Sequence, residues 1–117
     1  MRADNHRWKP PGGILELSET ITDGLRREVR EETGLDVELV ALTGVYKNVV
    51  RGIIALVLRC KITGGQLEVT NETTAFRWAA ESDVRELMAD AYAVRVFDAL
   101  RHSASPAVRD HDGTHLL

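Results

Sequence analysis

The sequence predicts an α/β sandwich, and three observations predict it. Thr20 to Gly34 carries a helical pattern with a cap signal at each end. Two long stretches, Val37 to Tyr46 and Gly52 to Ile62, read as strands, the second rich in β-branched residues and leucine as a central strand is. Two more helical segments follow, Ser82 to Met88 and Ala91 to Arg101. The order β, α, β-hairpins, α suits helices packed on a sheet. A chain of 117 residues allows one domain with one modest core.

Residues 1–13 read as an extended lead-in, stiffened by Pro10 and Pro11, with Trp8 available for packing. The first helix starts at Thr20, whose hydroxyl can cap the amide of Asp23. It ends at Gly34, which supplies a left-handed C-terminal cap. Ile21, Leu25 and Val29 recur every four residues and form a core stripe. At 3.6 residues per turn, Glu28, Glu31 and Glu32 span about 100° beside that stripe. Asp23, Arg26 and Arg30 face solvent. Thr63-Gly64-Gly65-Gln66 reads as a hairpin turn after the second long strand. Short strands are predicted near Leu67 to Val69 and Ala75 to Ala79. Val94, Phe97 and Leu100 form the apolar face of the last helix. Residues 1–102 therefore read as a single domain, and 103–117, with Pro106 and several His and Asp, as a C-terminal tail. No repeat, low-complexity tract or linker interrupts the chain.

The net charge of −3, without a Lys/Arg cluster, gives no basis for a nucleic-acid polymer as partner. A small anionic substrate would then need a metal or a local basic group. The lone Cys60 excludes an intrachain disulfide and fits a reducing, cytoplasmic setting. The longest apolar run, Ile53 to Leu58, is far too short to span a bilayer, and the N-terminus lacks a signal-peptide core.

The segment Gly13 to Leu35, GILELSETITDGLRREVREETGL, is the most informative. Glu28, Glu31 and Glu32 stand at i, i+3 and i+4, neighbours on one helical face. Carboxylates so crowded repel one another unless a cation sits among them, and hard oxygen donors suit Mg²⁺ or Mn²⁺. The segment resembles the Nudix box, the signature of the Nudix hydrolase family. Gly13, Glu19, Arg27-Glu28, the aliphatic Val29, Glu31-Glu32, Gly34 and Leu35 meet every fixed position of that pattern. The preceding Trp8-Lys9-Pro10-Pro11-Gly12 also looks like the family's lead-in.

The resemblance implies a Nudix-type α/β/α sandwich with a mixed sheet, and hydrolysis of a diphosphate bond assisted by Mg²⁺, with Mn²⁺ as the alternative. By the same analogy Glu28 and Glu32 are the leading metal ligands, Glu31 is a further ligand or one held through water, and the backbone carbonyl of Gly12 completes the set. Arg27 pairs with Glu19 or Glu28 and fixes the helix face. The general base is open among Glu28, Glu72 and Glu81; relatives use either a box glutamate or one on a later loop. Many relatives carry a further acidic residue three before the tryptophan, where this chain has Ala75. Glu16 lies at a free position of the pattern. The implied substrate is a nucleoside diphosphate linked to a further group, or a nucleoside triphosphate. Markers of several subfamilies are absent, which leaves a MutT-like or broad nucleotide pyrophosphohydrolase by elimination. The rivals are a non-catalytic nucleotide sensor and an isomerase on the same fold, and an intact box counts against both.

Family members place one or two strands before the paired glycines, and only 12 residues stand there. This predicts an N-terminal edge that is truncated, or completed by a partner such as a second copy in a homodimer. Elsewhere, Tyr46, Lys47, Asn48 and Arg51 read as surface polar residues at a strand end. Trp78 reads first as core and second as a base-stacking platform. Cys60 reads as a small buried hydrophobe. His111 and His115, near Asp110 and Asp112, suggest a metal site only until the surrounding Pro and Gly are weighed, which favour a flexible tail.

Overall fold

The computed structural model describes residues 2–4, 7–69, 75–76, 78–101 and 103–117, with side chains described for 10–69, 78–101 and 103–117. The chain divides into two compact units, 1–39 with 60–78, and 40–59 with 79–117. The elements are β1 (Arg2–Asp4), β2 (Arg7–Lys9), α1 (Ile21–Thr33), β3 (Leu35–Asn48), β4 (Ile53–Gly65), β5 (Ala75–Phe76), α2 (Glu81–Leu87), α3 (Asp90–Leu100) and β6 (Ala107–His111). β3 and β4 are long enough to run through both units.

The described strands form two three-stranded sheets, ordered β2-β1-β5 and β4-β3-β6. In the first, β1 pairs antiparallel with both neighbours, Ala3 facing Trp8 and Ala75. In the second, β6 runs parallel to β3, with Tyr46 opposite Arg109 and Asn48 opposite His111. The four-residue turn 49–52 can only join antiparallel strands, so this sheet is mixed. The α/β class with a mixed sheet is thus present.

The first unit is organised by α1. Its N-cap is Thr20, whose hydroxyl accepts from the amide of Asp23 at 3.1 Å. Its C-cap is Gly34 at φ 79°, with the Gly34 amide donating to the Arg30 carbonyl at 2.8 Å. Asp23, Arg26 and Arg30 are exposed, as the helical wheel requires, and Val29 is buried. The second unit is built on Val84, Met88, Ala91, Ala93 and Tyr46, all buried. Each fully buried large apolar side chain contributes on the order of 1.5–3 kcal/mol. Among the described residues no helix is long and apolar enough to cross a membrane.

Several expectations need correction. The extended lead-in carries two three-residue strands, Arg2–Asp4 and Arg7–Lys9. Thr63 to Gly65 belong to β4 rather than to a turn. Gly65 is glycine because a side chain at its φ of 80° would run into the Gly34 carbonyl, so the close approach of two backbones sets the residue. Leu67 to Val69 form no strand. The segment 103–117 carries β6, and His111 within it is fully buried rather than part of a loose tail. Ile21 and Leu100, assigned to apolar stripes, are each 49% exposed, and Trp78, read first as core, is 71% exposed. Tyr46 and Asn48, read as surface residues, are buried. The Asn48 side-chain oxygen accepts from the amides of Val50 and Arg51, both at 3.1 Å, and so builds the 49–52 turn. The Trp8 side chain lies outside the described residues.

Candidate active site

The site is assembled in the first unit from α1 and the loop before it. Arg27 is its hub. Its Nε donates to Glu19 Oε2 at 2.6 Å and its Nη2 to Glu19 Oε1 at 2.8 Å, a two-pronged pairing that suits a guanidinium and a carboxylate. One nitrogen, Nη1, donates to Glu28 at 3.0 Å and to Glu31 at 3.1 Å, which draws those two carboxylates together. Nη2 also reaches the Ile14 carbonyl at 3.2 Å, tying the loop to the helix. The choice between Glu19 and Glu28 as partner of Arg27 therefore resolves into both, with Glu31 added.

Glu19 is held from two sides, because its Oε1 also accepts from the Glu16 amide at 2.8 Å. The Arg27 side chain first, and the Glu16 amide second, lower its pKa to about 2. Arg27 is raised above its ordinary value, chiefly by Glu19. Both groups stay ionised at any working pH.

Glu32 differs from its neighbours. It is 3% exposed, whereas the Glu31 side chain is 49% exposed. The Gly12 amide donates to Glu32 Oε2 at 2.7 Å, so the lead-in glycine is placed on the helix by this carboxylate. Gly13 follows against Glu28: a Cβ there would overlap the Glu28 carboxylate. Gly24, buried in α1, leaves room for Leu15 and lies close to Glu19. Of the segment's three glycines, Gly13 lies against a carboxylate, Gly24 against the Leu15 side chain, and Gly34 holds a positive φ. The Gly34 cap is legible in the sequence, whereas the contacts at Gly13 and Gly24 are not.

Among the described residues no three His, Cys, Asp or Glu side chains converge on a ligating point. Arg27 is the cation that relieves the crowding of Glu28 and Glu31 here. The donor chemistry still fits a hard divalent ion. All candidate donors are oxygens, three sit on adjoining faces of one helix, and one of them is a nearly buried carboxylate beside a glycine loop.

The remaining candidates are scattered. Glu72 lies outside the described residues. Glu81 is the exposed first residue of α2, in the second unit. Cys60 lies half-buried in β4, and burial pushes its thiol pKa up. His115 is exposed; its amide and that of Thr114 donate to Asp112 Oδ1 at 2.7 and 2.9 Å, which makes Asp112 the organiser of a chain turn. The sequence reading missed a buried cluster in the second unit. Asp98, 7% exposed, accepts from Arg109 at 2.7 and 2.8 Å and from the Tyr46 hydroxyl at 2.8 Å. Arg109 is the main cause that lowers the Asp98 pKa, while burial, then Asp98, raises that of Tyr46.

Comparison with known proteins places this arrangement. The sequence matches the NUDIX domain over residues 1–100. It is 55% identical over 116 residues to a MutT-like protein of Streptomyces ambofaciens, covering 99% of this chain and 75% of that one. It is 33% identical over 112 residues to the mouse (Mus musculus) 8-oxo-dGDP phosphatase NUDT18, covering 94% of this chain but only 29% of that longer protein. In fold it is similar to the crystal structure of an ADP-ribose pyrophosphatase from Streptococcus suis, with a TM-score of 0.72 and 20% identity over 94% of this chain and 87% of that one. The chain belongs to the NUDIX domain family, and it is a Nudix hydrolase acting on diphosphate bonds.

Proposed function

We propose that the chain is a Mg²⁺-dependent pyrophosphohydrolase, with Mn²⁺ able to substitute. Its substrate is a nucleoside diphosphate linked to a further group, or a nucleoside triphosphate. The observation that carries this reading is the edge of α1, where Glu28 and the buried Glu32 stand against the Gly12–Gly13 loop and Arg27 holds Glu31 beside Glu28. The relatives named for ADP-ribose and 8-oxo-dGDP support a diphosphate-bearing nucleotide as the substrate class.

Glu28, Glu31 and Glu32, with the Gly12 carbonyl, would hold the ion. Bound there, a divalent ion neutralises phosphate oxygens and lowers the pKa of a coordinated water. Arg27 is a positioning residue: it sets the rotamers of Glu28 and Glu31 and locks the loop through Glu19 and the Ile14 carbonyl. A carboxylate then takes the proton of the attacking water. Glu28 is the candidate on α1, and Glu72 and Glu81 are the candidates outside the box.

The test is hydrolysis of a mixed nucleotide panel with Mg²⁺ in H₂¹⁸O, with products identified by mass spectrometry. The reading requires one cleaved diphosphate, with label in a single phosphoryl product. In Glu32→Gln the rate should fall by on the order of 10²-fold or more, because the ion loses its most enclosed ligand. A wild-type rate in that variant would refute the metal assignment.

A further inference from the structure

The second unit contains a cavity of about 180 Å³ lined by Arg59, Arg101, Arg109, Asp98, Ser103 and Ser105, with Ala41, Leu42, Thr43 and Ala107 completing its wall. None of these residues belongs to α1 or to the glycine loop. The cavity is several times the roughly 30 Å³ that a water occupies in the liquid. Three guanidinium groups face one carboxylate, so its wall carries two positive charges in excess.

The Asp98–Arg109 pair accounts for itself. Arg109 spans both Asp98 oxygens at 2.7 and 2.8 Å, and the Tyr46 hydroxyl takes a further lone pair at 2.8 Å. Arg101 is left at 4.0 Å from Asp98, beyond hydrogen-bond reach. Arg59 donates from Nη1 to the Ala99 carbonyl at 3.0 Å, a neutral acceptor. Among the described residues, neither Arg59 nor Arg101 has a carboxylate within hydrogen-bond distance. Both lie at the C-terminal end of α3, where cations offset the helix dipole. That dipole end amounts to about half an elementary charge. Two guanidiniums exceed it. The serines add polar groups of a suitable kind: the Ser105 amide donates to Ser103 Oγ at 3.4 Å, which uses that oxygen as an acceptor and not its proton.

We propose that this cavity is a binding site for a small phosphate-class oxyanion, separate in its residues from the hydrolytic site. Planar guanidinium forks match the oxygens of a tetrahedral anion, and a doubly charged phosphate balances the excess charge of the wall. Free phosphate, pyrophosphate and the terminal phosphate of a nucleotide share this chemistry, and all three are substrates or products of diphosphate hydrolysis.

The test is calorimetric titration of the full chain with phosphate, pyrophosphate and ADP, each in excess EDTA so that no divalent ion bridges the ligand to Glu28 or Glu32. Saturable binding of at least one of the three, one per chain, is expected. Arg101→Gln, at an exposed side chain that threatens no core, should weaken it about tenfold, the equivalent of one charged hydrogen-bond partner. Arg59→Gln with Arg101→Gln should abolish it, while Glu32→Gln leaves it unchanged. Thermal unfolding with and without ligand separates binding from folding: the ligand should raise the midpoint of the wild type and not that of the double variant. Tight phosphate and pyrophosphate with weak ADP would assign the site to free anions, and the reverse order to a nucleotide. No saturable binding to the wild type up to about 10 mM, or equal affinity in the double variant, would overturn the proposal. A double variant that only unfolds earlier, beside a wild type that binds nothing, would reduce the arginines to caps of α3.

Discussion

Arg27 touches Glu19, Glu28, Glu31 and the Ile14 carbonyl, so one side chain fixes both the helix edge and the loop facing it. Arg27→Lys keeps the charge but loses the fork that spans Glu19. Activity should fall by roughly 10- to 100-fold, the usual cost of losing a group that orients metal ligands, and steady-state kinetics would register it. Gly13→Ala separates site from stability. The added Cβ overlaps only the end of the Glu28 side chain, which can swing away. The unfolding midpoint should hardly move, while hydrolysis drops because Glu28 is displaced. His111 gives a pH-dependent prediction. It is fully buried, with Nδ1 facing the Gly113 amide at 2.9 Å and Nε2 facing Arg95 Nη2 at 3.3 Å; the Tyr92 ring lies tilted beside it and Asp110 and Asp112 flank it. Burial first, then Arg95, lower its pKa below the ordinary 6.5. The unfolded chain therefore binds the extra proton more readily. Stability is complete above about pH 6.5 and is lost as pH falls below it. Unfolding midpoints from pH 8 to 5 should decline in the wild type and decline less in His111→Gln. The box residues were readable because their spacing is local. The burial of Tyr46 and His111 was not, since it depends on partners such as Asp98, 52 residues from Tyr46.

At the scale of elements, α1 follows from its own sequence. Thr20 and Gly34 cap it as their positions require, and each cap can be weighed. Thr20→Ala should cost about 1 kcal/mol through the lost bond to the Asp23 amide. Gly34→Ala should cost more. It places a side chain at φ 79°, a penalty of about 1–2 kcal/mol by itself, and its Cβ would overlap the Gln66 backbone carbonyl. Urea denaturation measures both, and equal losses would mean the Gln66 contact yields freely. β6 could not be read from periodicity. Ala107–His111 holds an Arg and an Asp, and Val108 is 80% exposed. The strand exists because it pairs in parallel with β3, a long-range bond pattern that leaves no local trace. The Gly64-Gly65 pair misled for a related reason. Turn chemistry and the close approach of two backbones both select glycine, and only the structure separates them.

At the scale of the molecule, the anionic chain with its carboxylate-edged helix needs a cation before it can accept a phosphate-rich substrate. Arg27 satisfies part of that need within the protein. A divalent ion held by Glu28, Glu31 and Glu32 would satisfy the rest and bring the chemistry. Net charge and composition set this requirement from the sequence alone. The division of the chain into two units, with long strands shared between them, was not readable there, because it depends on which contacts each half of β3 and β4 makes. The most direct measurement is calorimetric titration of the intact chain with Mn²⁺ and Mg²⁺, in the wild type and in Glu32→Gln. The wild type should bind, and the variant should bind at least about tenfold more weakly, or not at all, with its fold intact by circular dichroism. Equal affinity in the two proteins would contradict the assignment of the α1 edge as a metal site.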